Sequence, residues 1–124
     1  MANPVMRWQI LTKQPKKLEE FYSALFGWKV SGDNALGYRQ VDTSSKEGIH
    51  GGFWPIAEKE GHSMVQLFVR VDDVKALATK AEELGARVVI PPQTLPDGDE
   101  MAVVVDPDGI PFAMFRSAAG SVSE

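Results

Sequence analysis

The chain alternates short apolar runs, typical of strands, with two longer stretches whose apolar residues recur at helical spacing. The first helix is predicted to begin at Pro15, which suits a first helical turn, and to end at Gly27. The second is predicted to follow Asp72 or Asp73, either of which can cap it, and to end before Gly85. Strands are predicted at 5–11, 28–30, 37–42 and 49–54 in the first half, and at 65–71, 87–90, 101–106 and 110–116 in the second.

The two halves repeat one order of elements, which is strand, helix, strand, strand, strand. From Pro15 to Val74 the offset is 74 − 15 = 59 residues, and from Gly27 to Gly85 it is 85 − 27 = 58. This near-constant offset indicates the duplication of a half-domain. The sequence therefore predicts an α+β fold in which residues 1–124 form a single domain of two βαβββ modules, about 5–60 and 63–117. Residues 91–99 are predicted to form a loop and a candidate lid.

Alternation along the strands separates two faces of different character. One face of the strand at 65–71 is aliphatic and is predicted to pack against a helix: Val65, Leu67, Val69 and Val71. The other face carries Gln66, Phe68 and Arg70, and the first strand similarly places Arg7 and Gln9 on one side. A polar and aromatic face of this kind suits a ligand cavity, and contact with solvent or a partner subunit is the alternative.

Composition excludes several classes of partner. The net charge is 13 − 17 = −4, so the chain lacks the basic character of a nucleic-acid-binding protein. No apolar run approaches the length of a membrane span, which argues against a membrane partner. Cysteine is absent, and this removes thiolate chemistry and is compatible with a reducing compartment. We therefore expect a cytoplasmic protein.

Three segments of the chain resemble the vicinal oxygen chelate superfamily, which includes glyoxalase I, bleomycin-resistance proteins and extradiol dioxygenases. They are FYSALFGWKV at 21–30, VDDV at 71–74 followed by AEELGA at 81–86, and DPDG at 106–109. The resemblance implies that the two βαβββ modules form a cup-shaped mixed sheet with helices on the outer face and a small-molecule ligand inside. It also implies a homodimer.

The resemblance further implies four positions at which metal-dependent members hold a divalent ion. Three of them fall on Arg7, Gln66 and Ala113, and the fourth cannot be aligned, with His50 and Gly52 nearest. An arginine is always charged and cannot donate a lone pair, and an alanine has no donor atom. We therefore predict a site with no metal and no cofactor.

The residues that remain at those positions suggest a site for an anionic or oxygen-rich ligand. Arg7 could clamp a carboxylate or phosphate, while Gln9 and Gln66 could orient polar groups. His50, between glycines, is the histidine expected to reach the site. The predicted stacking residues are Phe68, Phe115 and Trp54.

Each of these residues also has a structural explanation. Arg7 could pair with an acid such as Glu100, and the glutamines could be solvated. His50 could be a surface imidazole, and the aromatic residues could belong to the core.

The favoured function is a protein resembling glyoxalases, bleomycin-resistance proteins and dioxygenases that binds a small organic molecule without a metal. The alternative is a lyase, isomerase or dioxygenase-type enzyme that uses either a divalent metal or chemistry at Arg7 and His50. A purely structural dimer module is a third possibility, because one fold hosts many functions.

Overall fold

A computed structural model describes residues 2–32, 37–56 and 62–118. In chain order the elements are β1 Val5–Thr12, α1 Pro15–Phe26, β2 Lys29–Ser31, β3 Arg39–Asp42, β4 Gly51–Pro55, β5 Met64–Arg70, α2 Val74–Glu83, β6 Arg87–Thr94, β7 Glu100–Val105 and β8 Pro111–Arg116. The predicted α+β class with the duplicated βαβββ order is confirmed. Within the described residues, neither helix is long and apolar enough to cross a membrane.

The chain divides into two compact units, each with a four-stranded mixed sheet. The N-terminal unit comprises Arg7–Gln66, and the C-terminal unit comprises the described residues up to Met6 together with those from Leu67 onward. In the N-terminal unit the strand order is β2-β3-β4-β1, with β1 and β4 parallel and the other pairs antiparallel. The C-terminal unit repeats this arrangement as β6-β7-β8-β5, with β5 and β8 parallel. That the modules 5–60 and 63–117 make one domain stays a prediction, and the boundary at residue 60 lies outside the described ranges.

The C-terminal unit has a conventional apolar core beneath α2. The helix begins after Asp73, whose Oδ1 accepts a hydrogen bond from the Ala76 backbone N–H at 3.0 Å, so the predicted cap is present. Val74 and Ala78 are the buried residues of α2. They pack with buried residues of the sheet and its flanks: Val71, Ala102, Val104 and Met114. Burial of this apolar surface is what holds the helix on its sheet.

The N-terminal unit is held by aromatic rings rather than by a buried aliphatic core under its helix. Tyr22 of α1 stacks on Trp28 with ring centroids 5.1 Å apart, and Trp28 lies 5.4 Å from Trp8 of β1. Tyr22 also lies 5.8 Å from Phe53 of β4. Aromatic pairs at these separations contribute beyond the area that they bury. We call Tyr22, Trp28, Trp8 and Phe53 the aromatic cluster.

Three apolar residues of the predicted α1 stripe stay largely exposed, although the Phe21 ring lies 5.0 Å from Tyr22 and the Phe26 ring 5.2 Å from Trp28. Phe21, Leu25 and Phe26 are 57%, 57% and 58% exposed, and α1 buries none of its residues. The helix does end as predicted at Gly27, which has a φ of 75° and donates its N–H to the Ser23 carbonyl oxygen. The apolar periodicity of α1 thus predicted the helix correctly but overstated its burial.

Two further predictions were wrong. Val65 and Leu67 are exposed, so the aliphatic face of β5 packs as predicted only toward its end, at Val69 and Val71. The segment at 91–94 is not a loop, because β6 continues to Thr94. Register shifts along β6 opposite β7 accommodate the two prolines there, which lack the N–H that a regular ladder needs.

A glycine on β4 makes the aromatic cluster possible. Gly51 pairs with Trp8, and a β-carbon added to Gly51 would overlap with the fused-ring carbons of the Trp8 indole. The indole N–H donates to the Ile49 carbonyl oxygen at 3.1 Å, which fixes the ring in that position. Trp8 therefore lies directly on the backbone of its neighbouring strand.

We predict that Gly51→Ala destabilises the protein by about 1–3 kcal/mol, because a rigid ring system has to move to admit one methyl group. Gly48→Ala is the matched control, since the nearest atom to its added β-carbon is the Thr43 hydroxyl at 3.3 Å. Its effect should stay within about 0.5 kcal/mol. Urea unfolding of both variants measures the difference, and equal free energies of unfolding would contradict the packing described.

Candidate functional site

The sheet of the N-terminal unit has one face covered by α1 and one face that α1 does not cover. Trp8 and Gly51 pair with each other and lie on the covered side, with the aromatic cluster. Gln9 and Gly52 are the next pair, so alternation places them on the opposite side, together with Arg7. We call this opposite side the helix-free face. Two of the predicted site residues, Arg7 and Gln9, are therefore brought to one surface.

Tyr38 lies across this face, directly over Gly52. A β-carbon added to Gly52 would overlap with the hydroxyl oxygen and ring carbons of Tyr38. The Tyr38 side chain precedes β3, is 9% exposed, and lies 5.4 Å from the ring of Trp54 on β4. Glycine at position 52 is thus required by the approach of a tyrosine ring, in the way that Gly51 is required by Trp8.

Arg7 and Tyr38 are joined by a hydrogen bond. The Arg7 Nη1 group donates to the Tyr38 hydroxyl oxygen at 3.1 Å. This bond helps to orient the guanidinium. The arrangement brings a guanidinium and a hydroxyl to one point on the helix-free face.

The two glutamines predicted for the site are both buried. Gln9 and Gln66 are each 4% exposed, although neither is apolar. In the part of the chain that the structure describes, the Gln9 amide makes no hydrogen bond, and Gln66 donates only to the Met64 sulfur at 3.6 Å. Among the described residues the buried side-chain nitrogen or oxygen without a partner is Arg39 Nε, so the Gln9 amide is not a buried unpaired group. Gln9 lies two residues from Arg7 on the same face.

His50 is not part of this arrangement. Its side chain is 58% exposed, and its Nδ1 accepts a hydrogen bond from the Thr43 backbone N–H at 3.2 Å. The same nitrogen is 3.4 Å from Asp42 Oδ1. These contacts place His50 in a surface turn beside β3.

Phe68 and Phe115 come together in the C-terminal unit. Their rings stack with centroids 4.4 Å apart and planes 15° from parallel. Phe115 is buried in an apolar cluster with Met101, Val103 and Ala113, and Phe68 packs against that cluster. The two residues predicted to stack on a ligand thus stack on each other, with Phe115 in the interior of its unit.

The strand register identifies the fourth of the positions at which metal-dependent relatives place ligands. Gln9 pairs with Gly52, and Phe68, which stands 59 residues after Gln9, pairs with Ala113. Gly52 is therefore the counterpart of Ala113 in the other unit. Of the two candidates that the sequence left open, the register selects Gly52 rather than His50.

The residues at the four positions do not fit a divalent metal. Gln66 supplies a neutral amide, Arg7 a positive charge, and Gly52 and Ala113 no donor atom. Across residues 2–32, 37–56 and 62–118, no group of three or more His, Asp or Glu side chains could hold a metal ion. Catalytic sites for zinc and similar ions normally need three such protein ligands.

Tyr38 is not among the residues that the sequence predicts for this face. The pair of glycines at 51 and 52 is the sequence signal for close approach to a strand. In the structure the rings of Trp8 and Tyr38 make that approach on the two sides.

Comparison with known proteins gives a family and a set of shared folds. Residues 8–115 match the family model described as a glyoxalase-like domain. The anthracycline biosynthesis protein DnrV of Streptomyces peucetius is 29% identical over 116 aligned residues, which cover 78% of this chain and 41% of that protein. The chain thus spans less than half of the length of the curated relatives that it matches.

Two solved structures illustrate the shared fold. Methylmalonyl-CoA epimerase of Streptomyces coelicolor, in complex with 2-nitronate-propionyl-CoA, is 18% identical with a TM-score of 0.64, covering 98% of this chain and 99% of that one. The Mn(II)-bound glyoxalase of Novosphingobium aromaticivorans is also 18% identical, with a TM-score of 0.61, covering 99% of this chain and 42% of that one. At this level of identity the likeness concerns the fold alone.

Proposed function

Because this chain belongs to the glyoxalase-like domain family of the vicinal oxygen chelate superfamily, we propose that it binds a small anionic or oxygen-rich organic molecule without a metal ion. The proposed site is the helix-free face of the N-terminal unit. The observation that carries the proposal is the position of the Arg7–Tyr38 pair on the same face as the Gln9 amide.

The chemistry of this face suits an oxygen-bearing anion. A guanidinium can contact two oxygens of a carboxylate or phosphate at once, and charge-assisted hydrogen bonds of this kind are stronger than neutral ones. The Gln9 amide offers both a donor and an acceptor to the polar part of a ligand. Arg7 supplies the positive charge that a divalent ion supplies in metal-dependent relatives.

The comparisons support a small organic ligand in general terms. The names of the relatives concern anthracycline biosynthesis and the epimerisation of methylmalonyl-CoA, both of which involve small organic molecules. The fold hosts binding proteins as well as enzymes, so the ligand class rests on the site residues. The residues at the four metal positions cannot hold a divalent ion. They therefore favour a metal-free binding protein over a metal-dependent enzyme.

The test of the proposed site is a thermal-shift screen of small carboxylates and their neutral amides. A carboxylate that binds the native state should raise the midpoint of unfolding, because binding stabilises that state. We expect Arg7→Met to abolish this rise and Arg87→Met to retain it, since Arg87 is an exposed arginine on β6. Equal rises for the wild type and Arg7→Met would contradict the role of Arg7.

We also infer that the chain forms a homodimer. The support is the exposed apolar surface of α1, where Phe21, Leu25 and Phe26 each leave more than half of their surface uncovered. Contiguous apolar patches of this kind mark association surfaces.

Light scattering at micromolar concentration should give twice the 13.6 kDa mass of one chain. The double variant Phe21→Ser with Leu25→Ser is expected to be monomeric, because it removes apolar contact area from α1. Leu84→Ser is the control, since Leu84 is also exposed but follows α2 in the C-terminal unit. A monomeric wild type would refute the dimer, and a dimeric double variant would refute this interface.

A further inference from the structure

A cleft beside the start of α1 is lined by four cationic side chains, Lys13, Lys16, Lys17 and Arg39, and has a volume of about 440 Å³. We call it the lysine cleft. We propose that it is a second ligand site, and that it binds the phosphate group of a small soluble molecule. This inference adds a site to the proposed function and does not depend on it.

The lysine cleft lies on the side of the sheet that α1 covers. Arg39 of β3 pairs with Phe53 of β4, and Phe53 belongs to the aromatic cluster under α1. The Arg39 Nη1 group donates to Glu19 Oε1 of α1 at 2.8 Å, so its side chain is directed to the same side. The helix-free face is the opposite side of this sheet. The lysine cleft and the site proposed above are therefore different surfaces.

The lysine cleft is positively charged, although the whole chain has a net charge of −4. Arg39 is paired with Glu19, and the acid among the described lining residues is Glu20, so the three lysines leave a balance of 3 − 1 = +2. Within residues 2–32, 37–56 and 62–118, none of these three lysines makes an ion pair. A cationic cleft of this kind concentrates anions.

The two lysines of the first helical turn are not explained by the stability of α1. Lys16 and Lys17 stand where the positive end of the helix dipole disfavours a positive side chain. In α2 the arrangement is the favourable one, with Asp73 at the start and Lys80 in the last turn. The lysines of α1 therefore oppose the dipole of their own helix, and an anion bound between them would offset that repulsion.

A phosphate group matches these side chains better than a carboxylate does. Each ammonium group is a compact charge with three donors, and a phosphate monoester carries nearly two negative charges and three acceptor oxygens. Arg39 also has donors that Glu19 does not use, since its buried Nε has no partner among the described residues. Several cations can therefore contact different oxygens of one phosphate group, whereas a carboxylate offers two oxygens and one charge.

The experiment uses inorganic pyrophosphate as the probe and acetate as the carboxylate counterpart, both at constant ionic strength. Calorimetry measures the affinity, and the backbone ¹⁵N signals of residues 13–17 locate the site. The test variant combines Lys13→Gln, Lys16→Gln and Lys17→Gln. The control combines Lys29→Gln, Lys46→Gln and Lys75→Gln, which are exposed lysines elsewhere on the chain. Both triple variants have the same net charge, −4 − 3 = −7.

We expect pyrophosphate to bind the wild type more tightly than acetate does and to shift the signals of residues 13–17. The test variant should bind pyrophosphate at least about tenfold more weakly, because hydrogen bonds between charged groups are strong, and the control should stay within about twofold. Without a ligand the test variant should have an equal or higher midpoint of thermal unfolding, since the repulsion from the helix dipole is removed.

Three results would overturn this inference. The first is equal weakening by both triple variants, which would show a general effect of net charge. The second is a lower unfolding midpoint of the test variant without ligand, which would make the lysines structural. The third is cosedimentation with phosphatidic acid vesicles in the absence of pyrophosphate binding, which would make the phosphate that of a lipid.

The outcomes are also separate from those of the proposed function. Pyrophosphate that shifts the signals of Arg7 and leaves those of residues 13–17 unchanged would refute the lysine cleft and support the anion site on the helix-free face. If the carboxylate screen fails but pyrophosphate binding depends on the three lysines, the proposed function fails and the lysine cleft stands.

Discussion

The close approach of two aromatic side chains to consecutive glycines of β4 is the constraint on which the N-terminal unit depends. Trp8 lies on Gly51 on the side of α1, and Tyr38 lies on Gly52 on the opposite side. The first contact joins the strand to the aromatic cluster that holds the helix. The second delivers a hydroxyl to Arg7 and so builds the polar part of the helix-free face. Gly51 and Gly52 thus admit both the ring that packs under α1 and the ring that carries the hydroxyl beside Arg7.

The site contains a positively charged side chain, Arg7, and the approach of Tyr38 to Gly52 brings a hydroxyl beside it. A divalent ion needs several donor side chains arranged around it, whereas a guanidinium carries its charge on a single residue and presents it in a planar fork. The Arg7 guanidinium donates to the hydroxyl of Tyr38, and Gln9 lies on the same face. Such a set is suited to holding and orienting an anion.

Local patterns predicted the repeated elements and the face of β1 that carries Arg7 and Gln9. Helical spacing, the glycine that ends α1 and strand alternation act over a few residues, and all of these are visible in the sequence. Tyr38 was missed because its position over Gly52 depends on the register of β3 against β4, which local patterns do not determine. His50 was predicted for the site because it stands between glycines, and the structure places it before β4, which begins at Gly51, with its side chain exposed. The exposure of Val65 and Leu67 likewise depends on what covers the strand, and periodicity does not report this.

The central claim is that the chelating positions of this fold have been replaced by groups that bind an anion directly. Elemental analysis of protein purified without a metal-affinity tag, after incubation with manganese, nickel and zinc and then desalting, tests it most directly. The account predicts a metal content well below one ion per chain and carboxylate binding that is insensitive to a chelator. One tightly held divalent ion per chain, lost on Gln66→Ala, would contradict it.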